Sequence, residues 1–244
     1  MFLGGSSKYR PYDDAVLDGV DLDIESGEHT GYSAFINQLR SHFSAAPKQY
    51  LISATPQCVY PDANLGSTLS SSWVDNTYVQ FYNNPCNLAN INNRWNFDYA
   101  SWDTLTKTNA NPNARMYVGL PAGSGAAGSG YLDLSTLQAD LMSLYTNYSA
   151  SFGGIMLWDA SWYSNNKAYV LSLANWVKSN MRCNVANPTS TTLPTLYSVS
   201  TTLSSTGSYS TAPASSTLFT SLNYTVTTYI AATSSAPTGY STIV

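Results

Sequence analysis

The segment Asp18-Gly19-Val20-Asp21-Leu22-Asp23-Ile24-Glu25 alternates acidic and apolar side chains. Side chains two residues apart point to the same side of a β-strand, so the segment predicts a strand with Asp21, Asp23 and Glu25 together on one side. The apolar residues between them then lie on the opposite side, towards packed helices. Asp18 is out of phase with the three carboxylates. We expect it either to enter from a bend at the strand start or to point outwards and support the backbone.

Three carboxylates on one side of a strand are unfavourable unless they share protons, hydrogen bonds or a metal ion. Crowding of like charges raises the pKa of at least one of them, which keeps a carboxylic acid protonated near neutral pH for general-acid catalysis. A solvated acidic strand end and a calcium site are the alternatives. A solvated strand end has no need of interleaved apolar residues. A calcium site favours oxygen ligands spaced along a loop with a Gly turn, which is absent here. The pattern therefore favours a catalytic site without a metal.

Around this segment, short apolar runs alternate with apolar stripes at helical spacing. The predicted strands span residues 15–24, 49–55, 77–82, 115–120 and 154–158, and the predicted helices span 32–43, 134–148 and 167–181. Such alternation indicates an α/β fold with parallel strands and crossover helices. An eight-unit barrel and an open doubly wound sheet both fit. The first strand is not followed by a Gly-rich phosphate loop, which disfavours a nucleotide-binding version.

The composition changes sharply after Arg182. No Asp, Glu, Lys or Arg follows that residue, and 29 of the 57 residues from 188 to 244 are Ser or Thr. Such a tract is typical of an O-glycosylated stalk or linker, because its scattered apolar residues cannot offset the entropy of ordering it. A packed all-β module is the competing interpretation, since residues 222–230 have strand-like composition. We assign 1–187 to a folded domain and 188–244 to a Ser/Thr-rich tail.

The charge and hydropathy of the chain exclude several classes of function. Only 10% of the 244 residues are charged and the net charge is −4, which argues against nucleic-acid binding because that requires a basic surface. No run approaches the roughly 18 apolar residues of a membrane span. The apolar stretch within the N-terminal residues 1–5 is too short for the apolar region of a signal peptide. Asn147 and Asn223 begin N-glycosylation sequons, in agreement with a secreted or cell-wall protein.

The segment from Asp18 to Glu25 resembles the DxxDxDxE signature of glycoside hydrolase family 18, the chitinases. Other segments resemble the hevamine-like class III and fungal-type members: Arg10-Pro11 with Asp14-Ala15-Val16, then Ala54-Thr55-Pro56-Gln57-Cys58, Gln80-Phe81-Tyr82-Asn83-Asn84-Pro85-Cys86 and Gly154-Ile155-Met156-Leu157-Trp158. They occur in the family's order over about residues 1–184.

This resemblance implies a TIM (β/α)8 barrel with the signature on its fourth strand and the carboxylates at its catalytic end. It also implies endo-acting hydrolysis of chitin or chitooligosaccharides without a cofactor. Glu25 would protonate the glycosidic oxygen while the substrate's own 2-acetamido oxygen attacks the anomeric carbon. Asp23 would hydrogen-bond the acetamido N–H, and Asp21 would lie behind Asp23 and share a proton with it.

The resemblance further implies roles for residues on later strands. Tyr82 would donate its hydroxyl to the acetamido carbonyl, and Gln80 would add a polar contact nearby. Met156 and Trp158 share one side of the last predicted strand, and the indole of Trp158 would stack on the distorted sugar. Alternatively, Tyr82 and Trp158 are ordinary packed aromatic residues.

The class III pattern also has a disulfide at the positions of Cys58 and Cys86. A bridge there would close a loop of about 28 residues and stabilise the fold by roughly 3 kcal/mol. Cys183 is then left without an identified partner.

The chain departs from the family because the signature begins at residue 18, where three strands should already have passed. Only the part of the barrel from the fourth to the eighth strand is then expected. We expect a fragment or a mis-started gene model, rather than a partial barrel that folds with help, and no chitin hydrolysis by the chain alone. The alternative function is a catalytically inactive chitin-binding or cell-wall glycoprotein. With a complete barrel, the protein is expected to be a monomer.

Overall fold

The computed structural model describes residues 1–181. The predicted tail at 188–244, the sequon at Asn223 and Cys183 lie outside the described residues. None of the helices within residues 1–181 is long and apolar enough to cross a membrane.

Within residues 1–181, five parallel strands form one sheet in which each strand pairs with the next along the chain. A doubly wound sheet reverses its strand order at a switch point, whereas a barrel adds its strands sequentially. The sequential order confirms the prediction of a barrel segment and excludes the doubly wound alternative. The strands are β1 (Gly19–Leu22), β2 (Leu51–Ala54), β3 (Asn76–Gln80), β4 (Arg115–Pro121) and β5 (Phe152–Trp158).

The three predicted helices are confirmed to within one residue at each end, as α1 (Tyr32–Ser44), α4 (Leu134–Asn147) and α6 (Lys167–Asn180). Three shorter helices and a 3-10 turn lie outside the predicted elements: α2 (Gly66–Ser71), α3 (Tyr99–Thr108), α5 (Ala160–Asn165) and the turn Leu88–Asn90. The helix α3 carries a readable signal, since its buried residues Tyr99, Trp102 and Leu105 recur every three positions.

The helices cover one side of the sheet, where the apolar core lies. Leu22, Ile52, Val79, Val118 and Ile155 each come from a different strand and belong to this core. They pack with buried helical residues that include Ile36, Trp102, Leu141 and Leu173. The predicted orientation of the apolar residues of β1 is thereby confirmed. The opposite side of the sheet carries the carboxylates and their partners.

The strand β1 is shorter than predicted, because residues 15–18 are not part of the sheet. Ladder pairing starts where Gly19 meets Leu51, the first residue of β2. Before that point the guanidinium of Arg10 donates to the backbone carbonyls of Gly5, Asp13 and Ala15 and holds the chain in turns. Alternation of side chains therefore predicted the phase of the strand correctly but overestimated its length.

The predicted disulfide between Cys58 and Cys86 is present, with a Cα–Cα distance of 5.8 Å. It joins the segment after β2 to the segment after β3. Both cysteines are buried. The bridge therefore restrains two of the connections that leave the end of the sheet where the carboxylates lie.

The carboxylate of Asp75, just before β3, joins three parts of the fold at the opposite end of the sheet. It accepts hydrogen bonds from the backbone N–H of Ile52 at 2.7 Å and from the side-chain amide of Asn111 at 3.1 Å. It also forms an ion pair with Arg40 of α1, and its side chain is only 15% exposed. These contacts connect β2, α1 and the segment before β4.

Replacement of Asp75 by Ala should lower the free energy of unfolding by about 3 kcal/mol, because it leaves the buried Ile52 N–H without an acceptor and the part-buried Arg40 guanidinium without its ion-pair partner. The matched control is Asp18→Ala, which removes an exposed ion pair with Lys48 and should cost less than about 1 kcal/mol. Urea unfolding monitored by circular dichroism measures both. Equal losses in the two variants would contradict the role of Asp75.

Candidate active site

Asp21, Asp23 and Glu25 lie at the carboxyl end of β1, on the side of the sheet opposite the apolar core. Only Asp21 is within the strand, which ends at Leu22. The alternation continues beyond the strand end, since Ile24 still packs against the core. Exposure increases along the row, because Asp21 and Asp23 are partly buried and Glu25 is exposed.

Asp21 is held by two hydroxyl groups from the neighbouring chain segment. Ser53, its register partner on β2, donates to one carboxylate oxygen at 2.6 Å, and Thr55 donates to the other at 2.7 Å. Burial raises the pKa of Asp21, whereas these two hydrogen bonds act in the opposite direction. Burial has the larger effect, so the pKa of Asp21 stays above its ordinary value.

Asp23 is the group whose protonation is poised at neutral pH. Its pKa is raised to about 7, mostly by burial and then by the negative charges of Glu25 and Asp21. The crowding of carboxylates predicted from the sequence is therefore present, but burial raises the pKa of Asp23 more than the neighbouring charges do. A carboxyl group with such a pKa exchanges its proton readily under neutral conditions.

Gln80, the last residue of β3, joins the carboxylates through its side-chain amide. The Nε2 group donates to Glu25 at 2.9 Å, to the backbone carbonyl of Thr55 at 3.0 Å and, with a longer contact, to Asp23 at 3.3 Å. Gln80 is only 6% exposed. Its amide therefore donates hydrogen bonds directly to the carboxylates. Its predicted contact with a sugar stays a prediction.

The other predicted sugar-contacting residues lie on the same side of the sheet. Tyr82, two residues beyond Gln80, is buried, as is Met156 in β5. Trp158, the last residue of β5, is partly exposed. Their immediate neighbours Phe81, Ile155 and Leu157 belong to the apolar core, which confirms the alternation. The roles of Tyr82, Met156 and Trp158 towards a sugar stay predictions.

Two residues singled out in the sequence lie away from this site. Asp18 points outwards and pairs with Lys48 at 2.8 Å, which agrees with the outward alternative. Asn147 is the last residue of α4 and is exposed. Its glycosylation stays a prediction.

Ser53 and Thr55 are partners of the carboxylate row that were not predicted. They are spaced by two at the end of β2, so the alternation that identified the carboxylates could also have found them. Within residues 1–181, no group of three or more His, Cys, Asp or Glu side chains is arranged to hold a metal ion.

A comparison with protein families matches residues 6–131 to the model of glycosyl hydrolases family 18. The chain is 47% identical over 180 residues to a protein named chitinase 2 from Rhizopus oligosporus, a match that covers 73% of this chain and 32% of that protein. The chain thus spans about a third of the length of this curated relative.

Two solved structures from plants are also similar. A xylanase and alpha-amylase inhibitor protein from Scadoxus multiflorus is 33% identical with a TM-score of 0.60, over 71% of this chain and 63% of that one. The ICChI chitinase from Ipomoea carnea is 33% identical with a TM-score of 0.58, over 69% of this chain and 61% of that one.

The raised pKa of Asp23 predicts a pH-dependent difference in stability between the wild type and Asp23→Asn. The folded protein holds the Asp23 proton up to a pH of about 7, whereas the unfolded chain releases it near 3.8. The folded state therefore binds more protons in this interval, and wild-type stability falls relative to the variant as the pH rises from about 4 to about 7.

Urea unfolding of both proteins at several pH values measures this difference. Asp18→Asn, which changes an exposed carboxylate, is the control and should follow the wild type. A difference between the wild type and Asp23→Asn that does not change with pH would contradict the assignment.

Proposed function

Because the chain belongs to the glycosyl hydrolases of family 18, we propose that its site hydrolyses chitin internally, with Glu25 as general acid and then general base. The observation that carries the proposal is the contact of one amide, that of Gln80, with both Glu25 and Asp23. This contact holds the two carboxyl groups side by side at the exposed end of the row. The similarity to a protein named chitinase supports the same substrate class.

In the first step, Glu25 gives its proton to the glycosidic oxygen as the bond to the anomeric carbon breaks. The carbonyl oxygen of the substrate's 2-acetamido group forms a new bond to that carbon, giving a cyclic oxazolinium ion. Glu25 is the most exposed of the three carboxyl groups. A substrate can therefore reach it without displacing the buried part of the site.

Asp23 supports this step by accepting a hydrogen bond from the acetamido N–H. Its negative charge then offsets the positive charge of the oxazolinium ion. Asp23 must give up its proton for this role, and with a pKa of about 7 this release costs little free energy at neutral pH. Asp21, whose pKa is also raised, is the neighbouring carboxylate that shares the proton.

In the second step, the Glu25 carboxylate takes a proton from a water molecule, and the water oxygen attacks the anomeric carbon. The oxazolinium ring opens and the product retains its original configuration. Tyr82 orients the acetamido carbonyl, and Gln80 positions the carboxyl groups. Trp158 and Met156 line the sugar subsite.

We place the protein outside the cell or in the cell wall. Disulfides such as Cys58–Cys86 persist in oxidising compartments, and Ser/Thr-rich tracts such as 188–244 are typical of glycosylated stalks.

A second candidate function is carbohydrate binding without turnover. The absence of turnover in this candidate is supported by the similarity to a solved structure that is described as a xylanase and alpha-amylase inhibitor protein. The three carboxyl groups and their hydroxyl and amide partners argue for the first function, because a binding surface has no need of a row of crowded acids.

Turnover of soluble chitooligosaccharides by the chain would overturn the expectation that it is inactive alone. Replacement of Glu25 by Gln should lower that turnover by about 10²- to 10⁴-fold, because it removes the proton donor. Binding of the oligosaccharide should be retained. The matched control is Glu28→Gln, which changes a nearby exposed carboxylate and should leave turnover unchanged. Product release measures turnover, and isothermal titration calorimetry measures binding.

Measurable turnover that is equal in the wild type and in Glu25→Gln would overturn the role of Glu25. Binding without turnover in both proteins would support the second candidate. Neither binding nor turnover in either protein would exclude both functions for this chain.

The participation of the acetamido group makes a separate prediction. The chain should not cleave the fully deacetylated glucosamine oligomer, which lacks the attacking oxygen, and the first product from the acetylated oligomer should be the β-anomer. Proton NMR spectroscopy of fresh digests measures both results. An α-anomeric first product would contradict the mechanism.

A further inference from the structure

The segment 122–131 connects β4 to α4, and it contacts Trp158 near its start and Tyr82 near its end. At its start, the Ala122 N–H donates to the backbone carbonyl of Trp158 at 2.7 Å. Near its end, Gly130 adopts a positive φ of +95°, and a Cβ at that position would lie 2.9 Å from the Cα of Tyr82. The segment therefore lies against the backbones of both Trp158 and Tyr82, the two aromatic residues proposed to contact the sugar.

Trp162 of α5 holds the first half of this segment. A Cβ at Gly123 or Gly125 would come within 2.8 or 2.5 Å of its indole ring. The segment can pass this close to the ring because both residues lack a side chain. From 122 to 130 the segment contains only Ala, Gly and Ser, and its glycines lose much backbone entropy when they are ordered.

Asn83 holds the second half. Its side-chain oxygen accepts a hydrogen bond from the Gly128 N–H at 2.7 Å, and its own N–H donates to the Ser129 carbonyl at 3.2 Å. Its φ of 60° lies in the left-handed region, which Asn adopts more readily than other residues with a side chain. Asn83 therefore turns the chain directly after Tyr82 and binds the opposing segment at the same time.

We propose that Asn83 is a positioning residue that keeps the segment 122–131 ordered as a wall of the sugar-binding cleft. The identity of the ligand, a chitooligosaccharide, rests on the proposed function. The hydrogen bond to Gly128 orders the glycine-rich backbone before the sugar arrives. Without it, sugar binding must also order the segment, which weakens affinity.

Three variants separate the side-chain contact from the backbone turn. Asn83→Gly preserves access to the left-handed conformation but removes the acceptor, whereas Asn83→Asp retains an acceptor oxygen at the same place. Asn92→Ala is the matched control, because Asn92 is an exposed asparagine in the same connection and makes no side-chain hydrogen bond among the described residues.

Hydrogen exchange of the Gly128 amide measures the contact itself. Protection should fall about fivefold or more in Asn83→Gly, as expected for the loss of one hydrogen bond, and should be retained in Asn83→Asp and Asn92→Ala. Unchanged protection in Asn83→Gly would overturn the proposal.

Binding of chitotetraose measures the consequence. In a Glu25→Gln background, which prevents cleavage, the Kd should rise about fivefold in Asn83→Gly, and Asn83→Asp should restore it. In the background with Glu25, KM should rise while kcat changes little, because the segment contributes binding rather than chemistry. Reduced protection of Gly128 with unchanged Kd would overturn the role in sugar binding.

These outcomes are distinguishable from failure of the proposed function. If the parent chain does not bind chitotetraose, the proposed function fails, and the role in sugar binding fails with it. The exchange of Gly128 then still supports or overturns the role of Asn83 in ordering the segment.

Discussion

The site depends on the crowding of three carboxyl groups at the end of β1. Burial raises the pKa of Asp21 and of Asp23, so their ionised forms depend on compensating hydrogen bonds from the neighbouring strands. The end of β2 supplies the hydroxyl groups of Ser53 and Thr55, and β3 supplies the amide of Gln80. These hydrogen bonds form only when β1 pairs with β2 and β2 pairs with β3, so ionised carboxyl groups at this site depend on the pairing of the three strands.

The same alternation of side chains builds both the core and the site. In each strand, one set of alternate residues packs under the helices, and the other set faces the carboxylate side. A shift of one residue in the register would exchange the two sets and bury the carboxyl groups among apolar side chains. The core thus fixes the site, since the apolar residues hold each strand in phase.

Much of the fold could be predicted because the signals were periodic and local. The three long helices have apolar stripes that cover three or more turns, and their ends agree with the structure to within one residue. The helices α2 and α5 have only six residues each, too few for a periodic pattern to stand out. The late start of pairing in β1 depends on where β2 begins, which lies about 30 residues away in the chain.

The sequence by itself determined the phase of the side chains: which residues share a side of each strand, and hence that Asp21, Asp23 and Glu25 form one row. Tertiary structure alone decided which distant residues meet them. Gln80 contacts Glu25 across 55 positions of sequence, and Asn83 contacts Gly128 across 45. The physical reason is that alternation is a local property of the backbone, whereas such contacts arise only after the strands have paired in register.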